Sequence, residues 1–230
     1  MSPGGRVTDV VADVLGGHRI VPVVVLDDPG KADALGAALV QGGLPVAEAT
    51  FRTPEAAAVL RRLAANDDLV VGAGTVLTDR QVDQAVEAGA RFVVSPGLSE
   101  RVVRRCQELG VPVLPGVATP SEVMAALDLG LDTVKFFPAE ANGGLATIKA
   151  LAAAFPQVSF VPTGGITADT APAYLAHPAV AAVGGSWMVA GDLLRDGRWD
   201  DVAARCATST ALYAPDLHPA SRPAPRGATA

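Results

Sequence analysis

Eight short runs rich in β-branched residues recur along this chain at a nearly constant interval. They begin near Ile20 (IVPVVVLD), Val46 (VAEAT), Leu69 (LVVGAGT), Arg91 (RFVVSPG), Val111 (VPVLPGV), Asp132 (DTVKFFP), Val158 (VSFVPTGG) and Val180 (VAAVGGS). The mean interval of about 23 residues is the length of one strand, one helix and two short loops. Between the runs, apolar residues three and four apart predict helices over 31–41, 55–65, 80–88, 100–109 and 122–129. Hydroxyl residues at Thr53, Thr78 and Thr119 stand before a proline or an acid and read as helix caps. Gly42-Gly43, Gly89, Gly110 and Gly130 read as stops that lead into the next strand.

Nearly unbroken apolar strands alternating with helices predict a parallel sheet covered by helices. Eight such units in 230 residues are at the lower size limit of an α/β (β/α)8 TIM barrel. An open doubly wound sheet is disfavoured because no GxGxxG follows the first strand. The expected organisation is a single barrel domain over 1–213. A short helix over 4–17 precedes strand one, and a disordered Pro/Ala-rich tail occupies 214–230.

Half the residues are hydrophobic, 18% are charged and the net charge is -6, with no long basic run, so nucleic acid is not an expected partner. No apolar run reaches membrane-span length and no signal-peptide pattern opens the chain, which predicts a soluble cytoplasmic protein without membrane attachment. Cys106 and Cys206 lack any spaced framework and read as apolar packing residues. The three histidines are scattered, so neither a metal site nor any other cofactor is expected.

The sixth run carries a lysine, Lys135, followed by two phenylalanines. Delivering an ammonium into apolar surroundings costs desolvation, and one productive use of that cost is a free amine that attacks a ketone to form a Schiff base. A snorkelling or ion-paired lysine is the alternative on residue type alone. In a barrel the chemistry lies where strands end. Strand two ends in Glu48, Thr50 and Arg52, which period-two alternation puts on one face. An inward Glu48 facing Lys135 is the acid/base–nucleophile pairing a Schiff-base lyase needs; a purely structural ion pair is the competing reading. Arg52, with the hydroxyl of Thr75, suits a substrate carboxylate; an exposed strand-end arginine on the solvated rim and a helix-capping threonine are the alternatives. Thr163-Gly164-Gly165 and Gly184-Gly185-Ser186 end the last two strands, each ahead of a helix-like stretch, the first starting near Thr167. Glycine backbone at helix starts favours an anion, and these loops are the usual phosphate site of such barrels; tight turns are the alternative.

The segments IVPV at Ile20, EATFRT at Glu48, VGAGTVL at Val71, SPGL at Ser95, KFFPAEANGG at Lys135, PTGGI at Pro162 and GGSW at Gly184 occur in one order. On these motifs the chain resembles the 2-keto-3-deoxy-6-phosphogluconate (KDPG) and 4-hydroxy-2-oxoglutarate aldolases. The resemblance implies a cofactor-free homotrimer of (β/α)8 barrels. It also implies cleavage of a phosphorylated keto acid to pyruvate and glyceraldehyde 3-phosphate, in the Entner–Doudoroff route. It makes Lys135 the Schiff-base residue and Glu48 the acid/base. Arg52, Thr75 and Pro96 then line the pyruvate part, and Thr163, Gly164, Gly165, Gly184, Gly185 and Ser186 hold the phosphate. The galactonate epimer, a shorter unphosphorylated 4-hydroxy-2-oxo acid, and a non-catalytic sugar-phosphate-binding barrel stay open. The alanines of strand two, smaller than the residues usual in the family, are expected to widen the pocket.

Overall fold

The computed structural model describes residues 14–15 and 17–213. Its strands are β1 (Ile20–Val24), β2 (Val46–Thr50), β3 (Val70–Gly74), β4 (Phe92–Val94), β5 (Val113–Leu114), β6 (Gly116–Val117), β7 (Thr133–Phe136), β8 (Ser159–Pro162) and β9 (Val183–Gly185). They form an all-parallel α/β arrangement of two sheets, ordered β5-β4-β3-β2-β1-β9 and β6-β7-β8. Isolated parallel bridges Phe160–Val180 and Thr163–Gly184 join the β8 segment to the β9 segment.

The fifth expected strand is two pieces, β5 and β6, which belong to different sheets. Proline has no N–H to give a ladder, so pairing is interrupted at Pro115. Its carbonyl still accepts a 2.9 Å bond from the Lys135 N–H.

The helices are α1 (Ala32–Gln41), α2 (Ala56–Ala64), α3 (Asp79–Glu87), α4 (Glu100–Glu108), α5 (Pro120–Asp128), α6 (Gly144–Ala154), α7 (Ala171–Leu175), α8 (Gly191–Asp196) and α9 (Trp199–Thr210). Thr78 caps α3 by accepting from the Gln81 N–H. Thr119 and Glu122 close a reciprocal capping box on α5. Thr53 does not cap α2, whose N-cap is Glu55 without a side-chain bond. Residues 51–55 make a turn instead, and the Thr53 hydroxyl donates back to Leu26 O at 3.3 Å. The four helix-stopping glycines, at 43, 89, 110 and 130, take the left-handed φ that such stops require. Of the expected helix over 4–17, Val14 and Leu15 are helical; the remainder of that segment, apart from the turn at Gly17, and the expected tail over 214–230 lie outside the described residues.

Two apolar cores follow from strand alternation. The larger joins one face of the strands (Ile20, Val24, Ala47, Ala49, Val71) to helix residues such as Leu35, Leu39 and Leu60. The smaller gathers the opposite strand face, with Val21, Val46, Phe92, Val94, Leu114 and Val161. Ala47 and Ala49 thus pack toward the helices. They do not widen a pocket on the Glu48 side, contrary to the expectation from sequence, because period two sends them the other way.

Candidate active site

Glu48 lies in the middle of β2 and Lys135 one residue before the end of β7, in different sheets. Both side chains leave the strand face shared with the smaller core, and they meet. Lys135 Nζ donates to Glu48 Oε1 at 3.2 Å, and both side chains are 5% exposed. The ammonium end also stands 5.1 Å from the centre of the Phe137 ring. No other residue offers Glu48 or Lys135 a side-chain ion pair among the described residues.

Space for the carboxylate depends on the neighbouring strand. A Cβ at Gly74, paired with Thr50 in register, would lie 2.2 Å from Glu48 Oε1. Only glycine leaves that volume empty. Below the pair, an apolar cavity of about 20 Å³ runs between Glu48, Thr163 and the side chains of Val21, Phe92, Leu114 and Val161. That is room for about one water. The buried carboxylate of Glu48 therefore borders a cavity with little room for water.

Thr50 shares the Glu48 face, is 3% exposed, and donates its hydroxyl to Val24 O at 2.9 Å. Arg52 lies past the strand end and is exposed. Its Nε donates to Thr75 Oγ1 at 3.2 Å, so the two residues expected to hold a carboxylate are joined. The other Arg52 nitrogens make no hydrogen bond among the described residues. Thr75 has φ 58, the one left-handed residue other than glycine among those described. A β-branched residue in that region is strained, and such strain gathers at working sites. Pro96 is partly buried, and its carbonyl lies so close to Gly116 that a Cβ there would stand 2.2 Å away.

The two glycine pairs differ. Gly164 and Gly165 take φ 106 and φ 81, as in the tight-turn reading, directly after the Thr163–Gly184 bridge. Gly184 and Gly185 are buried strand-end residues. Their lack of a side chain is required by neighbours: a Cβ would lie 2.3 Å from Thr163 Oγ1 or 1.8 Å from the Trp187 ring. Thr163 is 6% exposed. The helix expected near Thr167 starts at Ala171, because Thr167 and Thr170 bond to each other in a turn first. Directly after Ser186 comes a single helical turn, Trp187–Val189, and the six-residue α8 begins only at Gly191. Neither glycine pair therefore opens a long helix. The N–H groups of Gly164, Gly165 and Ser186 nevertheless have no acceptor among the described residues.

Sequence reasoning missed Glu140 and Tyr174, which bond at 2.5 Å beside this loop. The neighbouring glycines Gly143 and Gly144 were the local signal. Cys106 and Cys206 are fully buried in the larger core, as expected of packing residues, and burial pushes both thiols up to about 12. No cluster of three metal-ligating side chains exists among the described residues.

A buried amine paired with a buried carboxylate at a strand end is the equipment of a Schiff-base lyase. Comparison with known proteins gives the family. Residues 11–205 match the family model "Aldolase: KDPG and KHG aldolase". The chain is 48% identical over 189 residues to the 2-dehydro-3-deoxy-phosphogluconate aldolase of Treponema pallidum, covering 81% of this chain and 89% of that one. It is 42% identical, with a TM-score of 0.83, to the 2-keto-3-deoxy-6-phosphogluconate aldolase of Zymomonas mobilis with 3-phosphoglycerate, over 90% and 97% of the two chains. The KDPG aldolase of Legionella pneumophila, solved with pyruvate captured as a covalent carbinolamine, matches at 39% identity and a TM-score of 0.84, over 89% and 98%. The chain belongs to the KDPG and KHG aldolase family.

Proposed function

We propose that this protein is a class I aldolase that cleaves 2-keto-3-deoxy-6-phosphogluconate to pyruvate and glyceraldehyde 3-phosphate. The observation that carries the reading is the 3.2 Å contact between two buried groups, Lys135 Nζ and Glu48 Oε1. A buried ion pair is poor at stabilising a fold, so retaining one at a strand end fits chemistry better than structure.

Lys135 Nζ attacks the C2 ketone to give a carbinolamine, which loses water to form an iminium. Glu48 takes the C4 hydroxyl proton, directly or through one water. The C3–C4 bond breaks, its electron pair passes to the iminium nitrogen, and the aldehyde departs. The enamine left behind is protonated at C3. Water then hydrolyses the iminium, returning the amine and freeing pyruvate. Arg52 and Thr75 hold the carboxylate, a role supported by their mutual bond and by the free guanidinium nitrogens. Pro96 lines the same pyruvate end. Thr163, Gly164, Gly165, Gly184, Gly185 and Ser186 hold the phosphate. The unpaired N–H groups of Gly164, Gly165 and Ser186 support that role.

The two sheets are read as one closed eight-stranded barrel in a single domain ending at Tyr213. Two observations support closure: β5 and β6 flank one proline, and two bridges connect β8 to β9. Homotrimer assembly rests on the family likeness, and light scattering is expected to give three times the mass of one chain. A cytoplasmic location agrees with the lack, among the described residues, of any helix long and apolar enough to cross a membrane.

Pyruvate release should be measured from the phosphogluconate-derived keto acid, its C4 epimer and an unphosphorylated 4-hydroxy-2-oxo acid. The highest kcat/KM is expected for the first. No pyruvate from any of them would overturn the reading.

A further inference from the structure

The segment after Lys135 is fastened to the Thr163–Gly165 loop by a ladder that runs past the strands. Thr163 N donates to Phe136 O at 3.0 Å, Ala139 N to Thr163 O at 2.8 Å, and Glu140 N to Gly164 O at 3.0 Å. The Glu140 side chain lies over the same loop: a Cβ at Gly165 would be 2.8 Å from Glu140 Cβ and Cγ. The Glu140 carboxylate is exposed, yet it is held. Tyr174, 3% exposed on α7, donates its hydroxyl to Glu140 Oε1 at 2.5 Å.

The same hydroxyl lies against the first turn of α6, a helix that has no side-chain cap of its own. It fits there because residue 144 is glycine: a Cβ would lie 2.7 Å from Tyr174 Oη. Burial first, then Glu140, hold the phenol above its usual range, so it stays a proton donor at neutral pH. The tyrosine oxygen thus stands between α7, the first turn of α6 and, through Glu140, the loop whose Gly164 and Gly165 N–H groups have no acceptor among the described residues.

Resting on the phosphate reading of that loop, we infer that the Tyr174–Glu140 pair is a positioning latch. It fixes the Gly164 and Gly165 amides and keeps the Glu140 carboxylate drawn toward α7, away from an incoming phosphate. Neither residue touches the reacting atoms. The latch sets the preference for phosphorylated donors and leaves the chemistry at Lys135 alone.

The test compares kcat/KM for the phosphorylated keto acid and for an unphosphorylated 4-hydroxy-2-oxo acid, alongside C3 proton exchange of pyruvate, which needs only the Lys135 half of the site. Tyr174→Phe keeps the ring and removes the hydroxyl. Its ratio of phosphorylated to unphosphorylated kcat/KM is expected to fall roughly tenfold, chiefly through KM, with pyruvate exchange within about twofold of wild type. Glu140→Ala should fall likewise. Glu140→Gln, which keeps an acceptor oxygen for the tyrosine, should retain the preference. An unchanged ratio in Tyr174→Phe, or an equal loss of both substrates and of exchange, overturns the inference. Should the wild-type enzyme itself gain no rate from the phosphate, the phosphate reading fails, and the latch fails with it.

Discussion

Replacing Gly74 by alanine tests the geometry of the proposed site while leaving Glu48 and Lys135 themselves unsubstituted. Gly74 does not have a left-handed φ, so the backbone accepts alanine. The added Cβ would lie 2.2 Å from Glu48 Oε1, 2.6 Å from Cγ and 2.7 Å from Cδ, whereas ordinary contact begins near 3.4 Å. The carboxylate must therefore retreat by more than about 1 Å, enough to take it out of hydrogen-bond range of Lys135 Nζ. Displacement of that size costs on the order of a hundredfold in rate, about 2.7 kcal/mol. Overpacking costs a further ~1–3 kcal/mol of stability, which urea unfolding reads separately. The assay is initial-rate pyruvate release coupled to NADH oxidation. Gly191→Ala is the control, since a Cβ there meets no atom within 4 Å; it should keep wild-type kcat/KM. A folded Gly74→Ala enzyme with unchanged kcat/KM would refute the placement of Glu48 in proton transfer.

Other outcomes follow from the same geometry. Glu48→Gln keeps the shape and loses the proton carrier, so kcat should drop by roughly 10²–10⁴ while borohydride with pyruvate still labels the protein; turnover near wild type would contradict the assignment. Burial raises the carboxyl pKa of Glu122, but bonds from the Ala118 N–H and the Thr119 side chain and N–H outweigh it, and the net shift is downward. A folded-state pKa below the unfolded one means stability that is present above the ordinary carboxylate range and lost as pH falls through the folded value. The stability gap between wild type and Glu122→Gln, read by urea unfolding, should therefore be full at pH 7 and narrow in acid; a pH-independent gap would count against the capping box. Thiols held at about 12 should resist iodoacetamide at pH 8 in the native protein and react on unfolding; rapid native labelling of Cys106 or Cys206 would contradict their burial.

The strands were legible because parallel strands buried on both faces must be almost wholly apolar, and glycine stops separate them from the helices. The facing of Glu48 and Lys135 was legible too. Alternation fixes the face of Glu48, and a lysine inside an apolar run has few other places to point. What escaped was set by tertiary geometry. Pro115 divides a strand between sheets, which a local reading of VPVLPGV does not show. Thr53 prefers the Leu26 carbonyl, 27 residues away, to its own helix. The Thr167–Thr170 turn delays α7, so the glycine pair lost its expected helix start while its amides stayed free. Tyr174 and Glu140 are 34 residues apart with no shared pattern, and only folding brings them together.

The most direct check uses the chain's three lysines, Lys31, Lys135 and Lys149. Borohydride reduction in the presence of pyruvate, followed by peptide mass spectrometry, should place a reduced pyruvate adduct on Lys135 alone. An adduct on Lys31 or Lys149, or none on any lysine of active enzyme, would contradict a Schiff base at the end of β7.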